Sequence, residues 1–267
     1  MILKPTKFRL PIKGHWGTKG LVGCWLMNEG GGARINDYSG QYPAMASGTI
    51  AWIPGKFGSA FNFDGSTSFL AVGKDIGLST GTFTIIAWVN PTSVADYYGI
   101  IGGSGTSYPG FGIYGGGSQQ LFLAKQGVDW IGTSGLGNTI SANVWSQVGV
   151  TYDGTTYQFI INGRIVKTAV NAFTFTSRNT EIGRYSTSYW PGAIDHILIY
   201  NRVLSSTQIA QLCREPFCMF ERERIELWSA AMAAGPAPPL TSSVFGSLLM
   251  NAYTKRKLHK VGMFAQI

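Results

Sequence analysis

A dense apolar stretch, Ala193 to Tyr200, carries Ile194, Ile197, Leu198 and Ile199 with Asp195 and His196 set among them. Such a stretch predicts a strand buried on both faces, and a polar pair inside it has to be hydrogen-bonded or bound to something. The loop Ser186 to Gly192 leads into it. After it, VLSSTQIAQL predicts a short helix, with Ser205 as N-cap, Gln208 three residues on, and Ile209 and Leu212 as apolar anchors. Upstream the pattern is again that of strands. Leu21 to Met27 reads as a strand packed on both faces. In Thr82 to Pro91, Phe83, Ile85, Ala87 and Val89 share a face, and in Val144 to Tyr152, Val144, Val148, Val150 and Tyr152 do. Asp153-Gly154 and Asn162-Gly163 predict hairpins on either side of Tyr157 to Ile161, and Asp64-Gly65 predicts another between two short strands. From Tyr97 to Trp130 short strands alternate with glycines. The expected class is all-β, a sandwich of two antiparallel sheets.

Composition agrees with many tight turns: 36 glycines, 13% aromatic residues and only 13% charged ones. No run of 18 apolar residues occurs, so no membrane span is expected. The N-terminal MILKPTKFRLPIKGHWG has no apolar core, so no secretory signal peptide is expected there. Cys24, Cys213 and Cys218 form an odd, sparse set that reads as reduced structural thiols.

Charge changes the picture at the two ends. Residues 1–20 hold five basic side chains and no acid, residues 21–213 hold nine of each sign, and residues 214–267 hold seven basic and four acidic. The whole net charge of +8 therefore lies outside a neutral middle. This predicts a basic N-terminal arm (1–20), a sandwich domain (21–213) and a C-terminal extension (214–267) with a Pro/Ala linker at 230–239. Apolar Phe217, Met219, Phe220, Ile225, Leu227 and Trp228 predict that Arg214 to Trp228 packs back on the sandwich. Beyond the linker, Phe245 and Leu249 with Lys255, Arg256, Lys257 and Lys260 predict an assembly arm that docks on a neighbouring subunit.

Several linked motifs, in order, resemble the laminin-G-like (concanavalin A-like lectin/glucanase) jelly-roll family over about Gly20 to Leu212. GKFGSAFNFDGSTSFLAV is similar to the family's G-K-F-G-x-A-L-x-F-D-G-x-x-D-Y-V, with Ser68 in place of the acidic residue. FTIIAWVNP is similar to F-T-x-x-A-W-V-x-P, and VWSQVGVTYDG…ING to W-x-x-V-x-V-T-Y-D-G…V-N-G. The ending GAIDHILIYNRVLS is similar to G-x-I-D-E-V-R-I-Y-N-R-A-L-S. The resemblance implies a jelly roll. In many relatives a calcium ion bridges an early Asp-x-Ser-Gly turn and the Asp of the closing strand, which here are Asp37 and Asp195; DYSGQYPAM lacks the asparagines that usually follow that turn.

Tyr185, Tyr189 and Trp190, with Tyr97, Tyr98, Tyr108 and Trp130, are candidates for a sugar-stacking surface. Trp190 stands where the family has a buried apolar residue, so core packing is the stronger expectation for it; Tyr185 and Tyr189 are expected to be exposed. GFGIYG matches a dinucleotide string but lies among glycine turns with no helix after it. No serine-hydrolase elbow, zinc-protease motif or glycosidase carboxylate cluster occurs. The expected function is a non-enzymatic structural and binding protein, a phage-like virion component such as a capsid decoration or tail adhesion protein. Its partners would be other shell subunits and glycans, with no specific nucleic-acid binding. A secreted carbohydrate-binding module acting outside the cell is the alternative, and a diverged glycoside hydrolase a third.

Overall fold

The computed structural model describes residues 4–5, 11–78, 81–103, 109–114, 120–125, 129–132, 140–171, 175 and 179–220. All belong to one compact unit, Met1–Arg222. The strands are β1 (Leu21–Trp25), β2 (Arg34–Ile35), β3 (Ala44–Ser47), β4 (Ala51–Pro54), β5 (Ser59–Asp64) and β6 (Phe69–Ala71). Then come β7 (Phe83–Pro91), β8 (Tyr97–Gly102), β9 (Pro109–Tyr114), β10 (Gln120–Lys125), β11 (Asp129–Gly132) and β12 (Ser146–Tyr152). The chain continues through β13 (Thr156–Ile161), β14 (Arg164–Val170), β15 (Glu181–Ile182), β16 (Arg184–Tyr185), β17 (Ser188–Tyr189) and β18 (Pro191–Tyr200) to the helix α1 (Ser206–Arg214).

Two eight-stranded sheets form the sandwich. The first runs β14-β13-β12-β7-β18-β5-β4, with β1 added alongside β18; the second runs β11-β10-β9-β8-β15-β6-β3-β2. Every observed pairing is antiparallel. Between the sheets lies the main core. Phe83, Ile85, Ala87, Val89, Val148, Val150 and Tyr152 meet Ile101, Phe111, Ile113, Leu121, Leu123 and Ile182 there. Val144 is half exposed and lies ahead of β12, so it does not share that face.

β18 is central and buried at every position because a second apolar layer covers the outer face of the first sheet. Cys24, Ile86, Ile160, Leu198 and Tyr200 project outward beneath Ile209 and Leu212 of α1 and beneath Phe217, Met219 and Phe220. The α1 capping box forms between Ser205 and Gln208 as its sequence predicts. The packed unit thus extends past Leu21 and Cys213 at both ends. Pro11 bridges Phe220, and the Ile12 N–H donates to the Met219 carbonyl at 2.7 Å. The remaining tail candidates, Ile225, Leu227, Trp228, Phe245, Leu249, Lys255, Arg256, Lys257 and Lys260, lie outside the described residues.

Turn chemistry explains two junctions differently. Asn162 and Gly163, at φ of 48° and 76°, join β13 to β14 with Ile161 opposite Arg164, the two-residue hairpin in which both central residues are left-handed. Asp64-Gly65 does not make the predicted hairpin. β5 pairs with β4 and β18 in the first sheet, while β6 pairs with β3 and β15 in the second, so this turn carries the chain from one sheet to the other. The Asp64 carboxylate stabilises the crossing by accepting from the Ser66, Thr67 and Ser68 N–H groups.

Candidate functional site

Asp195 and His196 occupy a β18 register shift against β7, with His196 opposite Trp88. The Asp195 side chain is fully buried and is met from three sides. Its Oδ1 accepts from Lys4 Nζ at 2.9 Å and from His196 Nδ1 at 3.0 Å, and its Oδ2 accepts from the Phe57 N–H at 3.0 Å. Phe57 belongs to the GKFG motif, whose role is now physical. A Cβ on Gly55 would stand 2.4 Å from Asp195 Oδ2, so only glycine lets the loop close around the carboxylate. The Phe57 ring then packs on Trp88, His196 and Phe217. Burial pushes the Asp195 carboxyl up, but the bonds from His196, Lys4 and Phe57 outweigh it and hold the group below the usual carboxylate range. Burial lowers His196 and keeps it neutral; with Nδ1 donating to Asp195, Nε2 is left buried with no hydrogen-bond partner.

Asp37 has a separate donor set. Oδ1 accepts from the Cys24 and Ser39 N–H groups at 2.8 and 2.9 Å; Oδ2 accepts from Gln41 and Tyr42 N–H at 3.1 and 2.9 Å and from the Ser39 hydroxyl. Five donors use the roughly four lone-pair positions a carboxylate offers. These two carboxylates do not fit a shared calcium ion, because N–H and ammonium hydrogens stand where a hard cation would need bare oxygen. Among the described residues no group of three or more His, Cys, Asp or Glu is placed to hold a metal.

Three of the aromatic candidates, Tyr97, Tyr185 and Tyr189, gather on the outer face of the second sheet, where the hairpin β16–β17 lies across β8 and β9. Tyr185 is not exposed. Its backbone and ring press on the side-chain-free positions Gly99, Gly102 and Gly110, where a Cβ would come within 2.2, 2.9 and 2.1 Å of Tyr185 atoms. Gly110 of the GFGIYG string, together with Gly99 and Gly102 of β8, therefore forms a trough for a tyrosine ring rather than a phosphate cradle. Burial raises the Tyr185 hydroxyl to about 12. Beside it, Phe122 is buried at 5.8 Å between ring centroids, and Tyr97, 40% exposed, lies against Tyr114 at 4.2 Å. Tyr97 and Tyr114 are directly opposite across β8 and β9.

On the other flank of the hairpin, the Arg184 guanidinium lies 3.8 Å over the Phe69 ring and donates to both oxygens of Glu181 and to the Tyr189 hydroxyl, the latter at 3.1 Å. The Glu181 hydrogen bonds raise its pKa further above an already basic value. Tyr189 is half-buried. Trp190 is fully buried in the main core, as the stronger expectation for it had it. Tyr98 turns inward and hydrogen-bonds Ser93 at 3.0 Å. Tyr108 and the Trp130 side chain lie outside the described residues. Arg184, Phe69 and Tyr114 are not legible as site residues, since only the β6–β15–β8–β9 order, with the separate β16–β17 hairpin laid across β8 and β9, brings them together.

The family model described as the concanavalin A-like lectin/glucanases superfamily matches residues 64–210. The chain belongs to this superfamily. Among solved structures, it is similar to domain 4 of AbnA, an extracellular arabinanase of Geobacillus stearothermophilus in complex with arabinotriose, at 20% identity and a TM-score of 0.60. That match covers 72% of this chain and 98% of that one. It is also similar to the binding domain of botulinum neurotoxin DC in complex with SialylT, at 16% identity and TM-score 0.56, covering 74% and 52%. A third likeness is to the binding domain of Paraclostridial mosquitocidal protein 1, at 14% and 0.56, covering 74% and 53%. The chain thus spans about half the length of those toxin domains. No curated protein matches it in sequence. At these identities the superfamily's fold is what the solved structures share with this chain. Among the described residues, no helix is long and apolar enough to cross a membrane.

Proposed function

We propose that the chain is a non-enzymatic, lectin-like binding protein that takes a neutral glycan on the outer face of its second sheet, and that it serves as a virion component, a capsid decoration or tail adhesion protein. The observation that carries the glycan reading is the exposed Tyr97 ring, fixed against Tyr114 above buried Phe122 and Tyr185. A ring held rigidly by its neighbours can stack on a sugar C–H face at little cost in ordering. The Arg184–Glu181 pair at the far flank offers hydrogen-bonding edges without net charge, which favours a neutral sugar over an acidic one. The reading is supported by analogy with the matched arabinanase domain, in complex with arabinotriose, and the toxin binding domain, in complex with SialylT. Against catalysis stands the state of the carboxylates. Asp37, Asp64, Asp195 and Glu181 are each held by hydrogen bonds of the fold, whereas glycoside hydrolysis needs two carboxyls free to flank one bond.

A glycan array tests the binding reading. Tyr97→Ala is expected to bind neutral-glycan hits roughly 2- to 12-fold more weakly, the 0.5–1.5 kcal/mol worth of an aromatic contact, with an unchanged melting curve. No hits for the full chain, or hits indifferent to Tyr97, would refute it. The virion part rests on the positive charge at the two ends of the chain. Removing residues 240–267 is expected to leave a folded chain that no longer enters assemblies, read by electron microscopy and light scattering. A secreted module with the same glycan face would be indifferent to that truncation.

A further inference from the structure

Four oxygens converge on the Lys4 ammonium. Three are main-chain carbonyls, of Met27 at 3.5 Å, of Asp195 at 2.9 Å and of Ser59, and the fourth is Asp195 Oδ1 at 2.9 Å. They come from the loop just past the opening strand, the start of β5 and the closing strand, segments as far as 191 residues from Lys4 in sequence. The Lys4 side chain is 5% exposed. Its main-chain N–H also reaches the Phe57 carbonyl, at 3.4 Å, so the residue is seated at both ends. An ammonium has three hydrogens and no lone pair, so four oxygens aimed at one nitrogen solvate a cation as a cage does. A carboxylate with several carbonyls is also the donor chemistry that hard divalent cations take.

We propose that Met27 O, Ser59 O, Asp195 O and Asp195 Oδ1 form a cation cage that Lys4 fills from within the chain, and that removing the Lys4 side chain turns the cage into a calcium site. Lys4 thereby does internally what a bridging ion does elsewhere: it ties the opening strand and the GKFG loop to the closing strand. Asp37, saturated by its own five donors, takes no part. Burial lowers the Lys4 pKa while Asp195 raises it. The cage needs a positive occupant because Asp195 is buried and ionised. Since the occupant is covalent, the fold and the outer face of the second sheet are independent of calcium.

The test is a calcium chloride titration of the full chain and of Lys4→Ala, followed by calorimetry and by melting in chelator and in calcium. The full chain is expected to give no binding heat and the same melting temperature in both. Lys4→Ala is expected to melt lower in chelator and to rise with calcium through a single site, and Lys4→Ala/Asp195→Asn to lose that response. Stoichiometric calcium binding by the full chain, or a folded Lys4→Ala that ignores calcium, overturns the proposal. Should Lys4→Ala fail to fold in either condition, the Nζ resonance of Lys4 in the full chain decides. A protected ammonium signal unmoved by calcium upholds the cage; a signal that exchanges freely or disappears on adding calcium overturns it. Glycan binding is read separately on the array, so its failure leaves this result standing.

Discussion

Asp195→Ala is expected to destabilise the chain by about 3–5 kcal/mol in urea unfolding, the cost of leaving a buried charge without its partner. Three donors lose their acceptor at once: the Lys4 ammonium, the His196 Nδ1–H and the Phe57 N–H. For a domain of this size the melting temperature should drop by on the order of 10 °C. Combining Asp195→Leu with Lys4→Met should cost less than Asp195→Ala alone, since no charge then remains buried. The same network sets the acid limit. His196 is lowered from 6.5, so as pH falls through that value the unfolded chain takes up a proton that the folded chain refuses, and stability declines. Asp195 is lowered from 3.8; its contribution is complete above that value and is lost as pH falls through its folded one. Both shifts point the same way, to a fold that weakens below about pH 6.5. A single Asp195 variant that unfolds like the parent would show that the network is ornamental.

Phe220→Ala is the second large effect, about 3–5 kcal/mol, the cost of emptying a buried aromatic site. Phe220 is 3% exposed and meets the Tyr38 ring edge-on at 5.7 Å, although it lies beyond the residues that the superfamily pattern covers. Truncating it in a solvated tail would change stability by no more than about 0.5 kcal/mol. Equilibrium urea unfolding separates the two outcomes directly.

Local signals in the sequence are legible because local physics produces them. Ser205 and Gln208 cap α1 within one turn, and Asn162-Gly163 turns on its own φ values. The period-two face of β7 needed only to know that a core existed. Burial of both faces of β18 was also legible, from the sheer density of apolar residues there. What failed depended on distant partners. Tyr185 looked like an exposed loop tyrosine, and only the absence of side chains at Gly99 and Gly110, more than 70 residues earlier, gives its ring a seat. The glycines were visible, but nothing local says which ring they receive. Asp64-Gly65 has the residues of a hairpin, yet sheet membership is decided by partner strands both before and long after the turn, so the turn is a crossing. Asp195 was recognised as needing a partner, and the partner was Lys4, assigned by charge to an arm. Segment charge counts cannot see that the Lys4 side chain is buried.

The most direct test of the glycan-binding account is residue-resolved. The full chain, labelled for NMR, is titrated with the strongest neutral oligosaccharide from the array, and amide and aromatic shifts are followed. The account expects the largest changes at Tyr97, Tyr114, Arg184 and Tyr189, with the ring signals of Tyr97 moving first and Asp195 and Phe220 silent. Shifts concentrated instead around β18, α1 or the 214–220 segment, or no saturable shift at all, would contradict it.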